Sequence, residues 1–314
     1  MFTDVYTGKI LRRLNSLSKT TNDIFEYISR GVQPTAYDIF CLKGKITGDY
    51  FTGYSDRLNQ NIKLESAIMK PILKGEDVKK YTNPRADYYT IYPHYLKGNK
   101  TLPLEESEFR KKFPLTYEYL KTFKKELTEK KIKYKTNSKY WYSMHRAREI
   151  QFFKSLKIIT PVISLGCNMT LCDAGIYHNV SVCSLIPKDH QKENLLYWLS
   201  ILNSKVLWKF ISNTSSVLRG GYYTFSTNYL APFPIPTINF NNPDEVKLHD
   251  KVVKLVSEIL TMYEEKEKNQ NPRDLKEIER EIKNTDKKID NLVYELYGLT
   301  EEEIDIVEKT FSNA

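Results

Sequence analysis

The amino-acid sequence predicts an α+β fold: a mixed sheet-and-helix body over residues 1–240, followed by an antiparallel α-helical hairpin over 241–314. Three observations predict it. Short β-branched and tyrosine-rich runs, bounded by Gly and Pro, alternate with amphipathic stretches through the first part of the chain. APFPIP (231–236) places three prolines in six residues, a stiff extended connector that no helix or central strand continues through. Beyond Phe240, apolar residues recur at helical spacing in two long runs separated by NQNP (269–272).

Taken in order, GKILRRLNSLS (8–18) reads as a short amphipathic helix with Ile10, Leu14 and Leu17 on one side. IFEYISRG (24–31) alternates apolar and polar residues and stops at Gly31, as a strand entering a turn does. A loop-rich section through Gly44, Gly48 and Gly53 leads to IMKPILKGEDVKKY (68–81) and to DYYTIYPHY (87–95), a tyrosine-rich strand. FPLTYEYLKTFKKELTEKK (113–131) is predicted as one helix, because Leu115, Tyr119, Phe123 and Leu127 recur every four residues opposite a lysine face. Tyr119 and Phe123 then belong to the core. LKIITPVISLG (156–166) is a β-branched strand with a hairpin partner in GIYHNVSVCSLIP (175–187), hinged at Asp173-Ala174-Gly175. KENLLYWLSILNSKVLWKFIS (192–212) reads as one helix striped by Leu195, Leu199, Leu202, Val206 and Phe210. In the tail, Pro243-Asp244-Glu245 opens a first helix; Leu275, Ile282, Ile289 and Leu296, seven apart, stripe a second. Gly298 caps it, and Thr300 begins a last short helix with acids in its first turn.

Charge is distributed unevenly. The net +9 divides into +16 for residues 1–236 and −7 for residues 237–314. Between Arg110 and Lys157, 12 Lys and 3 Arg stand against 4 acids, interleaved with Tyr117, Tyr134, Tyr140, Trp141, Tyr142 and Phe152. Cations that neutralise phosphates, with aromatic faces that reach bases, point to a polyanionic partner for the body. A lysine-rich solvated helix packed through its aromatics is the plainer reading of the same stretch. No apolar run approaches the ~20 residues of a membrane span, and the first residues lack a signal-peptide pattern. Four Cys in 314 residues make no disulfide framework, so a reduced cytoplasmic setting is expected.

The motifs of several enzyme classes are missing. There is no G-x-G-x-x-G, no phosphate-binding lysine loop and no Asn-Pro-Pro-aromatic tetrapeptide. No catalytic residue is assigned. Cys167, Cys172, His178 and Cys183 follow C-x4-C-x5-H-x4-C, which is not the paired C-x2-C of common zinc knuckles, and cysteine serves equally as a small strand hydrophobe; no metal site is assigned. His145-Arg146-Ala147-Arg148 has the chemistry of base or phosphate contact, because Arg pairs bidentately with guanine. Arg219-Gly220-Gly221-Tyr222-Tyr223 sets two glycines between a cation and two aromatics, either a close approach to another surface or a plain hairpin turn.

The order of motifs resembles a known family. It runs SRGVQP (29–34), PILKGEDVKKY (71–81), FPLTYEYLKTFKKEL (113–127), WYSMHRAR (141–148), LKIITPVIS (156–164), LLYWLSILNSKVLWKFI (195–211), LRGGYYTFSTNYLAPFPIP (218–236) and IDNLVYELYGLTEEEIDIVE (289–308). This succession is similar to the C-terminal target-recognition region of TaqI-like adenine-N6 DNA methyltransferases and single-chain type II restriction-modification enzymes. More distantly it resembles half of a type I specificity subunit. The resemblance implies a bacterial, cytoplasmic reader of double-stranded DNA, residues 1–240, with 241–314 as a spacer or docking hairpin. Lys131, Lys133, Lys135, Lys139, Tyr142, Arg146 and Arg148, with Arg219, Gly220, Gly221, Tyr222 and Tyr223, would face DNA. The catalytic part, with its S-adenosylmethionine (and Mg²⁺ where a nuclease is present), would lie in the same or another chain; a start almost at the recognition region favours a piece of a longer enzyme. An RNA-binding module that stacks unpaired bases on its tyrosines, or an assembly protein acting through the hairpin, are the alternatives.

Overall fold

Two sheets organise the structure, a computed structural model that describes residues 5–312. The chain passes through β1 (Phe25–Arg30), β2 (Cys41–Thr47), β3 (Tyr50–Ser55), β4 (Gln60–Glu65), β5 (Met69–Leu73), β6 (Tyr88–Ile91), β7 (His94–Lys97) and β8 (Lys100–Pro103). Helices Glu106–Lys112, Pro114–Lys121 and Lys124–Lys133 follow. Then come β9 (Lys157–Pro161), β10 (Ile163–Ser164), β11 (Thr170–Cys172), β12 (Tyr177–His178) and β13 (Val182–Pro187). Helices Leu195–Leu202 and Lys205–Thr214 lead to β14 (Tyr223–Thr224). One sheet has the order β12-β5-β6-β2-β3-β4, the other β1-β13-β9-β11. The fold is α+β.

Strand β9 pairs with β13 through Ile158↔Leu185 and Ile159↔Ser184, the partnership expected from the sequence. The connection is more elaborate than a hairpin. β11 folds back on the other edge of β9, and β12 crosses to run parallel to β5 with His178 opposite Leu73. Gly175, at φ +85, makes the turn between them.

Three elements divide where single ones are expected. The tyrosine-rich strand breaks at Pro93 into β6 and β7, because proline gives no N–H to a ladder. The basic helix breaks at Thr122–Phe123: Phe123 N donates to Leu120 O at 3.0 Å, a tighter turn that swings the Phe123 ring into the core. The long apolar helix breaks at Asn203–Ser204. There the Asn203 amide brackets the Met169 main chain, accepting from its N at 2.8 Å and donating to its O at 2.9 Å, while Ser204 caps the next helix.

One core lies between the six-stranded sheet and the helices of 106–133, built from Phe51, Ile72, Ile91, Phe109, Leu120 and Trp141. The other joins β9 and β13 to Trp198, Leu202 and Leu207, and runs on without interruption into Val252, Ile289 and Val293 of the tail. Helices Pro243–Lys268 and Pro272–Leu296 are capped at their starts by Asn242 and Asn271, with Pro at the first helical position. Acids of these two helices and of the last one, Glu301–Ser312, meet cations of the body: Lys80–Asp286 at 2.7 Å, Lys205–Glu308 at 2.7 Å, Lys205–Asp290 at 3.5 Å and Arg85–Glu267 at 3.4 Å. The charge asymmetry of the sequence is therefore partly an internal complementarity.

Candidate functional site

The basic stretch is less free than its composition suggests. Lys112, Lys121, Lys124 and Lys130 pair with Glu108, Glu118, Glu106 and Glu126. Lys131, expected at the DNA face, points inward. Its Nζ donates to Ser143 Oγ at 2.8 Å and to Met144 O at 2.7 Å, and burial pushes its ammonium down to about 8. Tyr142 is also interior, with its hydroxyl donating to Leu104 O at 2.7 Å. Both side chains are struts that hold the 137–148 loop against the helix. Lys139 is exposed but pairs with Glu105 at 3.0 Å. Lys133 and Lys135 remain exposed at the helix end, beside the exposed Ile132 and Tyr134.

The next segment is stitched to the end of β1. Arg146 N donates to Gln33 O at 3.1 Å, and Gln33 N donates back to Arg146 O at 2.9 Å, leaving the exposed Arg146 side chain free to project. Arg148, in the left-handed region at φ +62, donates from Nε to Gly31 O at 3.0 Å. Gly31 is glycine for a local reason: a Cβ there would lie 1.8 Å from His178 O. His178 is fully buried, and burial pushes its pKa down to about 3, so it is neutral.

From Gly31 the surface continues into an open groove of about 590 Å³, lined by Arg30, Tyr37, Lys74, Gly75, Ile163 and Ser181 among others. Lys74 Nζ sits 3.7 Å from the Tyr88 ring centroid and 3.3 Å from Glu76, so its charge is partly engaged. On the far side, β10 pairs with β14 through Ile163↔Thr224 and Ser164↔Tyr223. This ladder anchors the loop of Arg219, Gly220, Gly221 and Tyr222, all exposed. Tyr223 is half-buried edge-on against Trp208. Arg148 is therefore bonded to the residue after Arg30, and the Arg219–Tyr223 loop ends in a strand paired with the one that carries Ile163, while Arg30 and Ile163 themselves line the groove. Sequence reasoning missed Arg30, Lys74 and Ile163. The signal for the first two lay in the Arg-Gly and Lys-Gly pairs ending two strands, where a cation stands next to a close backbone approach.

The four cysteines are free and buried. Cys172 packs with Leu73, Val78 and Ile159, apart from the core that holds Cys167 and Cys183. Burial pushes the thiols of Cys172 and Cys183 up to about 11 and about 12, which keeps them protonated. Among the described residues, no three His, Cys, Asp or Glu side chains gather to hold a metal ion, and no helix is long and apolar enough to cross a membrane.

The fold and the motif order define a specificity domain of the kind that restriction-modification enzymes carry. The chain belongs to the TaqI-like C-terminal specificity domain family, whose model matches residues 70–235. It is similar to the type II restriction enzyme and methyltransferase RM.Eco57I of Escherichia coli, 23% identical over 323 residues that cover 97% of this chain and 32% of that protein. It is also similar to the type II methyltransferase M.HindII of Haemophilus influenzae, 32% identical over 92 residues, 29% of this chain and 18% of that one. In fold it matches the type IIL restriction-modification enzyme MmeI, solved in complex with DNA, at a TM-score of 0.58 and 14% identity, over 94% of this chain and 36% of that one. The chain spans about a third of the length of RM.Eco57I.

Proposed function

We propose that this chain reads the base sequence of double-stranded DNA for an adenine-N6 methyltransferase or restriction-modification enzyme in the bacterial cytoplasm. What supports the reading is the groove lined by Arg30 and Lys74, with Arg148 bonded to Gly31 next to Arg30 and the Arg219–Tyr223 loop ending in a strand paired with that of the groove residue Ile163. Cations on the rim fix the duplex through phosphates, and arginines that reach base edges choose the sequence. Residues 1–240 would form the reader, and 241–314 the helices that dock it to the rest of the enzyme. The catalytic part, in the same or another chain, would hold S-adenosylmethionine, and Mg²⁺ where the enzyme also cuts. That cofactor supplies the methyl group, and this chain's share is to bind and orient the duplex so that an adenine can leave the stack.

Selection of duplexes from a random pool, followed by anisotropy titration at several salt concentrations, tests this. One sequence should be bound at least about a thousandfold more tightly than the pool average, with affinity falling steeply with salt. Arg146→Glu should weaken binding about tenfold or more and lower the salt slope by about one. Equal affinity for all duplexes, or preference for single-stranded RNA, would overturn the reading.

A further inference from the structure

The loop between Ser215 and Thr224 does more than carry Arg219. Its base is rigid. Ser215 Oγ accepts from Thr224 N at 3.0 Å, Phe225 N donates to Val162 O at 2.7 Å, and Tyr223 rests edge-on against the buried Trp208. Above that base Leu218 N donates to Tyr222 O at 2.7 Å, closing a tight hairpin whose turn passes through Gly220 and Gly221, both left-handed. Large apolar side chains on the hairpin and on the neighbouring strand stand in water: Val217 is 59% exposed, Ile163 54% and Leu165 50%, and Leu218 and Tyr222 are exposed as well. A firmly braced hairpin that holds a ridge of large apolar side chains in solvent is built to meet something.

Charge says what. No Asp or Glu stands between Glu193 and Asp244, and the hairpin's one ionised side chain is Arg219, at its tip. The adjoining groove adds Arg30, while Lys74 in its lining is paired with Glu76. An apolar ridge tipped by a cation and free of carboxylates complements an opened base step, whose base faces are flat and apolar and whose flanking backbones are anionic. Two glycines at the turn leave the leading backbone bare, so it can approach closely.

We propose that residues 217–222 form a wedge that enters duplex DNA at a base step, with Leu218 and Tyr222 replacing part of the lost stacking and Arg219 meeting a backbone phosphate. The wedge rests on the DNA-reading function above and deepens it: it opens the stack that a partner catalytic site must disturb to reach a base.

A wedge favours DNA whose unstacking is already partly done. The test titrates the 314-residue chain against a fluorescein-labelled duplex of about 30 base pairs, fully matched or with two central mismatched pairs. The wild type should prefer the mismatched duplex about tenfold. The double variant Leu218→Ser, Tyr222→Ser alters two solvent-exposed side chains. It should bring that ratio close to one and leave the salt slope unchanged. Arg219→Ala should weaken both duplexes alike and lower the slope by about one. A wild type that binds duplexes without preferring mismatches, or a double variant that keeps the preference, overturns the wedge and leaves DNA reading standing; the second result would assign the apolar ridge to a protein surface instead. No duplex binding at low salt would overturn both.

Discussion

Lys131→Met exchanges a buried ammonium for an apolar side chain of similar length, and so asks whether that lysine is a strut or a DNA contact. In the folded protein its proton is held weakly, with a pKa near about 8 against an ordinary 10.5, because burial strips water from the charge. The folded-state value lies below the unfolded one. The resulting contribution to stability is therefore fully present only above about pH 10.5 and is lost as pH falls through about 8. Between about pH 7.5 and about pH 9.5 the wild type should gain about 2 kcal/mol that the methionine variant does not. Urea unfolding followed by tryptophan fluorescence, run on both proteins across that range, reads the difference directly. The variant also leaves Ser143 Oγ and Met144 O without their donor, a pH-independent cost of about 1–3 kcal/mol. Its affinity for duplex DNA should stay within about twofold of wild type, since no phosphate is lost. A stability difference that is flat or falls with pH, or a steep loss of DNA affinity in the folded variant, would refute the strut.

Two other perturbations follow from the same kind of reasoning. Gly31→Ala forces a Cβ to 1.8 Å from His178 O, main chain against main chain, and should destabilise by at least about 3 kcal/mol in urea unfolding; a loss under about 1 kcal/mol would mean the strand ends are not locked as described. Asp290, buried between the tail and helix Lys205–Thr214, has its pKa pushed up to about 6, chiefly by burial. Its contribution is fully present below about pH 4 and is lost as pH rises through about 6, so wild type should lose about 2 kcal/mol relative to Asp290→Asn between about pH 4 and about pH 7. Parallel unfolding curves at all pH values would count against it.

Much of the architecture was legible because it rests on local rules. The tail hairpin announced itself through Pro243 and Pro272 at helix starts, apolar residues seven apart and Gly298 at the end, and the structure places Gly298 at φ +60. The pairing of β9 with β13 followed from two β-branched runs. Where reading failed, a side chain had a distant partner. Asn203 and Ser204 fit a helix by apolar spacing alone, and only the Met169 main chain, far away in sequence, shows why the helix stops there. Lys131 and Tyr142 looked like contacts because composition counts charge and aromaticity without direction; the helix turns one inward, and the loop buries the other beside Phe109. The counted surplus of lysine likewise ignored Glu105, Glu106 and Glu108, just outside the window, which pair with Lys139, Lys124 and Lys112. The groove itself was invisible, since Arg30, Lys74 and Ile163 come from segments of three different sheets and meet only in the folded chain.

The first helix, Val5–Asn15, lies against the last, Glu301–Ser312, with Lys9 bonded to Glu302 at 2.8 Å and Arg13 to Glu303 at 2.9 Å. Lys9 and Glu302 stand 293 residues apart in sequence, so these pairs tie two distant helices into one piece, and loosening either helix exposes the other.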